Sequence, residues 1–146
     1  MIGRREFGLA GLSALTLAAV NTRARAADSK NGDEDGYDDC SEACSECQRA
    51  CDDCAHHCAM MLGEGKKQHM ASLQSCQDCA DICSAAARVV ARDGIYSHLI
   101  CSACADACGK CAAECEKYPA DETMADCAKE CRECEKACRV MVANHA

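Results

Sequence analysis

The stretch CSEACSECQRACDDCAHHC carries Cys40, Cys44, Cys47, Cys51, Cys54 and Cys58, separated by alternating steps of four and three residues. The rhythm returns at Cys76, Cys79 and Cys83, at Cys101, Cys104, Cys108, Cys111 and Cys115, and at Cys127, Cys131, Cys134 and Cys138. Together these are all 18 cysteines of a 146-residue chain. A deprotonated thiol is both a nucleophile and a soft metal ligand, so the pattern points to thiol redox chemistry, disulfides or soft metal ions. A chain needing only small buried hydrophobes would use Ala, Leu or Ile, which fill the space without risk of oxidation.

Spacing separates these chemistries. Cβ atoms three or four residues apart on a helix lie about 5–6 Å from each other. A disulfide needs about 3.8 Å, so neighbours within a stripe do not pair, although bridges between stripes stay open. Taken singly, the Cys-x-x-Cys pairs 44/47, 51/54, 76/79, 101/104, 108/111 and 131/134 suit zinc, copper or thioredoxin-like exchange equally. A thiol redox protein usually carries one reactive pair at an exposed helix N-terminus, whereas these pairs are repeated and lie mid-stripe. Iron–sulfur proteins use compact runs whose spacing is absent here. Structural zinc takes closed sets of four ligands. Charge then favours Cu(I), which accepts two or three sulfurs: one ion per thiolate leaves a buried core neutral, where uncompensated charge is costly. Half as many zinc ions would also balance the charge, but only if every sulfur bridged two metals. Multiple Cu(I) ions are the expected cargo, with a zinc-thiolate store and a thiol-disulfide redox protein as the alternatives.

Steps averaging 3.5 residues align side chains in one stripe along an α-helix, drifting by about 20° per heptad. Four stripes predict four helices, at 38–62, 66–92, 96–117 and 121–143. Gly63-Glu64-Gly65, Asp93-Gly94 and Tyr118-Pro119 are the short breakers between them, of the kind that joins antiparallel neighbours. Glu46, Gln48 and Arg49 on the first helix, and Lys129, Glu130 and Arg132 on the fourth, mark outward faces. Ala43, Ala50, Ala105, Ala112, Ala128 and Ala137 flank the cysteines and let helices approach closely. Residues 27–146 hold only 10 Leu, Ile and Val and no Phe, too few for an oily core, so sulfur must be the interior. The predicted fold is all-α: an antiparallel up-down-up-down four-helix bundle, residues 38–146, with a Cys-lined core.

Ahead of it, residues 1–26 read as a signal peptide: a basic start, an apolar stretch from Gly8 to Val20, and the cleavage pattern Ala24-Arg25-Ala26. At 13 residues the apolar stretch is shorter than the roughly 18 a spanning helix requires. Arg4-Arg5-Glu6-Phe7 is similar to a twin-arginine export signal, with Gly3 where Ser or Thr is usual. Residues 27–37 read as a flexible acidic lead. Cleavage after Ala26 leaves 12 Lys and Arg against 23 Asp and Glu, a net charge of −11, which argues against a nucleic-acid partner.

Extended by threes and fours, the stripes reach Met61, His69 and Met124 at one end of the bundle, with Met60 and Met70 nearby, and His98, Met141 and His145 at the other. Thioether and imidazole are neutral ligands suited to passing Cu(I) inward, so Met61, His69 and Met124 are expected to form a mouth. His56 and His57 are expected to be surface side chains. After Cys83 the second stripe continues as Ala86, Ala87 and Val90, an ordinary packing role. No Ser-His-Asp set, paired buried carboxylate or phosphate loop suggests catalysis.

The segment CSACADACGKCAAECEKYPADETMADCAKECRECEKAC, residues 101–138 with its Lys117-Tyr118-Pro119 turn, resembles the bacterial copper storage protein family of Cys-rich four-helix bundles. The resemblance implies a homotetramer of bundles whose inward cysteines hold many Cu(I) ions. It also implies, through Arg4-Arg5, a place in the family's exported, periplasmic branch; copper chelators or cuproenzymes are the expected acceptors of the stored ions.

Overall fold

A computed structural model describes residues 32–144. The chain forms α1 (Gly32–Gly63), a single 3-10 turn (Lys67–His69), α2 (Met70–Val90), α3 (Ser97–Cys115) and α4 (Glu122–Asn144). Each helix packs on two others, α1 on α2, α2 on α3, α3 on α4 and α4 back on α1, so the four make an antiparallel ring. Backbones of the diagonal pairs, α1 with α3 and α2 with α4, do not meet. What lies between them is side chain.

The connections use local chemistry. After α1, the Gly65 N–H donates to the Leu62 carbonyl at 2.9 Å and the Lys66 N–H to that of Met61 at 3.0 Å. This paired closure of a helix end needs a left-handed residue, here Gly65 at φ 84°. After α2 the same pair recurs, from Asp93 to Val90 and from Gly94 to Val89, both at 3.0 Å, with Asp93 in the left-handed position at φ 51°. Gly94 is required by space as well: a Cβ there would lie 2.8 Å from the Val89 carbonyl oxygen. At the start of α4, Asp121 Oδ1 accepts the Met124 N–H at 3.2 Å, satisfying one of the unpaired donors of the first turn.

Two boundaries differ from expectation by more than two residues. α1 begins at Gly32, so residues 32–37, expected as part of a flexible acidic lead, are helical. The second helix does not start at 66: residues 67–69 take the tighter 3-10 turn, and α2 proper begins at Met70. Residues 1–26, read from the sequence as a signal peptide, and His145 lie outside the described residues.

The core is made of sulfur. All 18 cysteines are buried, none exposing more than 1% of its surface. Ala55, Ala80, Ala105, Ala112 and Ala128 fill the seams between helices. Among the described residues three larger side chains are enclosed to within 2%: Met124 near one end of the bundle, Val90 and Met141 near the other. Outside, Arg132 pairs with Glu116 and Glu135, and Arg139 with Glu135 and Asp106, lacing α3 to α4. Among the described residues no helix is long and apolar enough to cross a membrane.

Candidate metal centre

Each stripe projects its thiols into the space the diagonal backbones leave free. Cys40 Sγ lies 3.6 Å from Cys101 and 3.8 Å from Cys138. Cys44 is 3.6 Å from Cys138 and 3.7 Å from Cys134. Cys83 reaches Cys108 at 3.5 Å, Cys47 reaches Cys131 at 3.7 Å, and Cys51 reaches Cys131 at 3.6 Å. Toward the other end Cys76 contacts Cys111 at 3.7 Å and Cys115 at 3.8 Å, and Cys115 contacts Cys127 at 3.8 Å. Met124 Sδ closes the series, 3.4 Å from Cys54 and 3.5 Å from Cys58. Through these and the remaining contacts, none longer than 4.0 Å, the 18 cysteines and Met124 form one unbroken sulfur network.

The separations suit a metal between the sulfurs. With metal–sulfur bonds of about 2.3 Å, sulfurs sit about 3.8 Å apart around a tetrahedral ion and about 4.0 Å around a trigonal one. Sets of four converge accordingly: Cys44, Cys104, Cys134 and Cys138; Cys47, Cys51, Cys79 and Cys131; Cys47, Cys83, Cys108 and Cys134; Cys51, Cys111, Cys127 and Cys131; Cys54, Cys76, Cys115 and Cys127. Cys47, Cys51, Cys127, Cys131 and Cys134 each belong to two of these, so their sulfurs are placed to bridge neighbouring ions. The cysteines are free thiols.

Their proton affinities diverge because the thiols hydrogen-bond to one another. Cys47 and Cys104 are held below the ordinary thiol value, in each case chiefly by contact with Cys108. Cys51 and Cys76 are pushed up, chiefly by contact with Cys111, and burial adds to this. Contact with Cys108 brings Cys79 down to about 7. At the end of the network, desolvation pushes Cys58 up to about 12, with the charges of Cys54, Asp121 and Cys127 adding to it. A cation entering such a core displaces protons and supplies the positive charge that the thiolates lack.

The expected mouth residues fare differently. Met124 is in the network. His69 is buried, 5% exposed, and its Nδ1 makes no hydrogen bond. Met61 is half-buried, its Sδ 3.1 Å from Nζ of the exposed Lys66, and Met60 and Met70 are exposed. At the opposite end Met141 is buried and His98 exposed.

Sequence reasoning missed several neighbours. His57 is not a plain surface side chain: only 21% exposed, it donates from Nε2 to Asp121 Oδ2 at 2.7 Å and meets the His69 ring edge-on with centroids 6.3 Å apart. Partial burial would raise the Asp121 carboxyl, but the His57 and Met124 hydrogen bonds outweigh it and hold the group below its usual range. Ser72, fully buried, has an unpartnered Oγ. Its spacing was a usable signal, because it stands four residues before Cys76 and three after His69, on the stripe itself. His56 is exposed, as expected.

Comparison with known proteins agrees with this geometry. A cytosolic copper storage protein from Streptomyces lividans, described with five coppers, is 32% identical, with a TM-score of 0.68 over 76% of this chain and 95% of that one. The Cu(I)-bound copper storage protein BsCsp3 is also 32% identical, with a TM-score of 0.65 over 73% and 98%. The apo copper storage protein 3 of Bacillus subtilis is 34% identical, with a TM-score of 0.63 over 73% and 98%. Comparison with curated proteins returned no match. The model of the copper storage protein family matches residues 33–143. Four cysteine-lined helices, one continuous sulfur core and a family match over nearly the whole described chain lead to one conclusion: this protein belongs to the copper storage protein family.

Proposed function

We propose that the chain stores Cu(I) as cargo along its sulfur network, taking up close to one ion per cysteine and yielding the ions to acceptor ligands or cuproenzymes. The observation that carries this reading is the unbroken run of 3.4–4.0 Å sulfur contacts through all four helices. Cu(I) is the ion that fills such a run without leaving net charge in a dry core. Burial of every thiol disfavours the redox alternative, because exchange needs a partner sulfur to reach the attacking thiolate. The role is storage rather than catalysis, and the family is not an enzyme family.

The mouth is the Met61, His69 and Met124 end, where Met124 offers a neutral thioether beside Cys54 and Cys58. The twin-arginine motif supports export to the periplasm for this chain, although the S. lividans relative is described as cytosolic. Assembly as a homotetramer is the further expectation. Anaerobic titration of the reduced protein with Cu(I) against a competing chelator, with thiols counted in parallel, tests the central reading. Uptake approaching one ion per cysteine is expected; saturation at one or two equivalents overturns it.

A further inference from the structure

One aromatic ring at this end supplies no ligand atom, yet it grips the imidazole read above as a mouth residue. Tyr118 lies in the turn between α3 and α4, and its ring stacks on His69 with centroids 4.6 Å apart and planes 23° from parallel. Its hydroxyl donates to the Gln68 carbonyl at 2.9 Å, so it holds both the side chain of His69 and the backbone just before it. His57, tied to Asp121, closes on the edge of the same imidazole. Pro119 follows Tyr118 and restricts its backbone to extended conformations, which presets the ring's position.

His69 needs such a clamp. It ends a short 3-10 turn, and its buried Nδ1 has no hydrogen-bond partner. An unpaired buried polar atom is costly, and a free imidazole would turn to recover a partner. Offset stacking against Tyr118 holds the ring against that rotation.

We propose that Tyr118 is a positioning residue for copper transfer: it fixes the His69 ring so that Nδ1 stays free for an incoming Cu(I), without supplying a ligand to the sulfur network. The proposal rests on the reading of His69 as a mouth ligand. Groups that orient a metal-binding histidine typically contribute about 10–100-fold to metal affinity or activity.

Stopped-flow uptake by the reduced full chain, with Cu(I) presented as its bathocuproine disulfonate complex, tests the proposal. Tyr118→Leu is expected to slow uptake about tenfold, Tyr118→Phe to keep a rate near wild type, and both to keep full capacity. His69→Ala is expected to be at least as slow as Tyr118→Leu, and the double variant no slower than His69→Ala alone. The ring-current shift of the His69 protons in NMR spectra should vanish in Tyr118→Leu and persist in Tyr118→Phe. If Tyr118→Leu fails to fold, Tyr118→Met repeats the test with a flexible chain of similar reach. A wild-type rate in Tyr118→Leu beside a slow His69→Ala overturns the role of Tyr118 and leaves the mouth reading standing. A wild-type rate in His69→Ala overturns both, and additive slowing in the double variant shows that Tyr118 acts elsewhere and also overturns the proposal.

Discussion

The two ends of the sulfur network obey the same spacing rule and finish differently. Ser72 and Ser97 each stand four residues before the first cysteine of their helix, and both are buried. At the end near Cys40, Cys101 and Cys138, Ser97 Oγ donates to the Val89 carbonyl at 3.5 Å, and Val90, Ala86 and Met141 fill the remaining space. At the Cys58 end, Ser72 Oγ and His69 Nδ1 have no partner, and a thioether sits against two thiols. One end is completed as an ordinary core, with its polar atom bonded and its gaps filled by aliphatic side chains. The other retains unspent bonding capacity, and a buried polar atom of that kind calls for a partner such as a water, an ion or a ligand.

The largest effect separates filled from empty protein. With few aliphatic groups inside, much of the stability must come from cargo: each site held at a hundred times its dissociation constant adds about 2.7 kcal/mol. Differential scanning calorimetry should show copper raising Tm by about 20 °C or more. Equal melting temperatures would mean that the thiol core holds itself together.

Next comes a pair of substitutions, one at each end. Met141→Ala opens a cavity in the completed end and should cost about 2–5 kcal/mol in denaturant unfolding of the apo protein, with copper exchange unchanged. Met124→Leu preserves volume and should cost less than about 1.5 kcal/mol, while slowing transfer of Cu(I) to a chelator. The comparison breaks if the first variant alters exchange or the second does not.

The pH dependence is gentler and distinguishes the Cys58 end of the network from its middle. Cys58, pushed up to about 12, is protonated throughout the range from about pH 6 to 9, so each ion bound there releases a proton and its affinity falls about tenfold per unit drop in pH. Cys79, at about 7, is a thiolate above that pH, so its affinity falls only below it. Proton release in weakly buffered solution, followed site by site with Cys58→Ser and Cys79→Ser, measures the difference.

Most of the architecture was legible because one residue type carried it. Cysteine at steps of three and four cannot lie on one face of anything but a helix, and the scarcity of Leu, Ile and Val left no competing core. The helix starts were less legible. Nothing in the acidic composition of residues 32–37 shows that they extend α1, and the 3-10 turn at 67–69 follows from how the chain leaves Gly65. At the Cys58 end, Met124 and His69 could be reached by counting along a stripe. The His57–Asp121 and Tyr118–His69 contacts could not, because they join residues 64 and 49 positions apart, on different elements. Pairings of that kind arise from how the helices dock.

Because every sulfur touches another, the interior has no walls between one ligand set and the next. An ion placed at Cys47 or Cys131 borrows a sulfur that its neighbour would also use. The store is therefore expected to behave as a one-dimensional lattice in which ions and vacancies trade places, rather than as a rack of separate slots. A half-filled sample should give a broad spread of ion counts by native mass spectrometry, and a ladder of discrete plateaus would show that the lattice is partitioned after all.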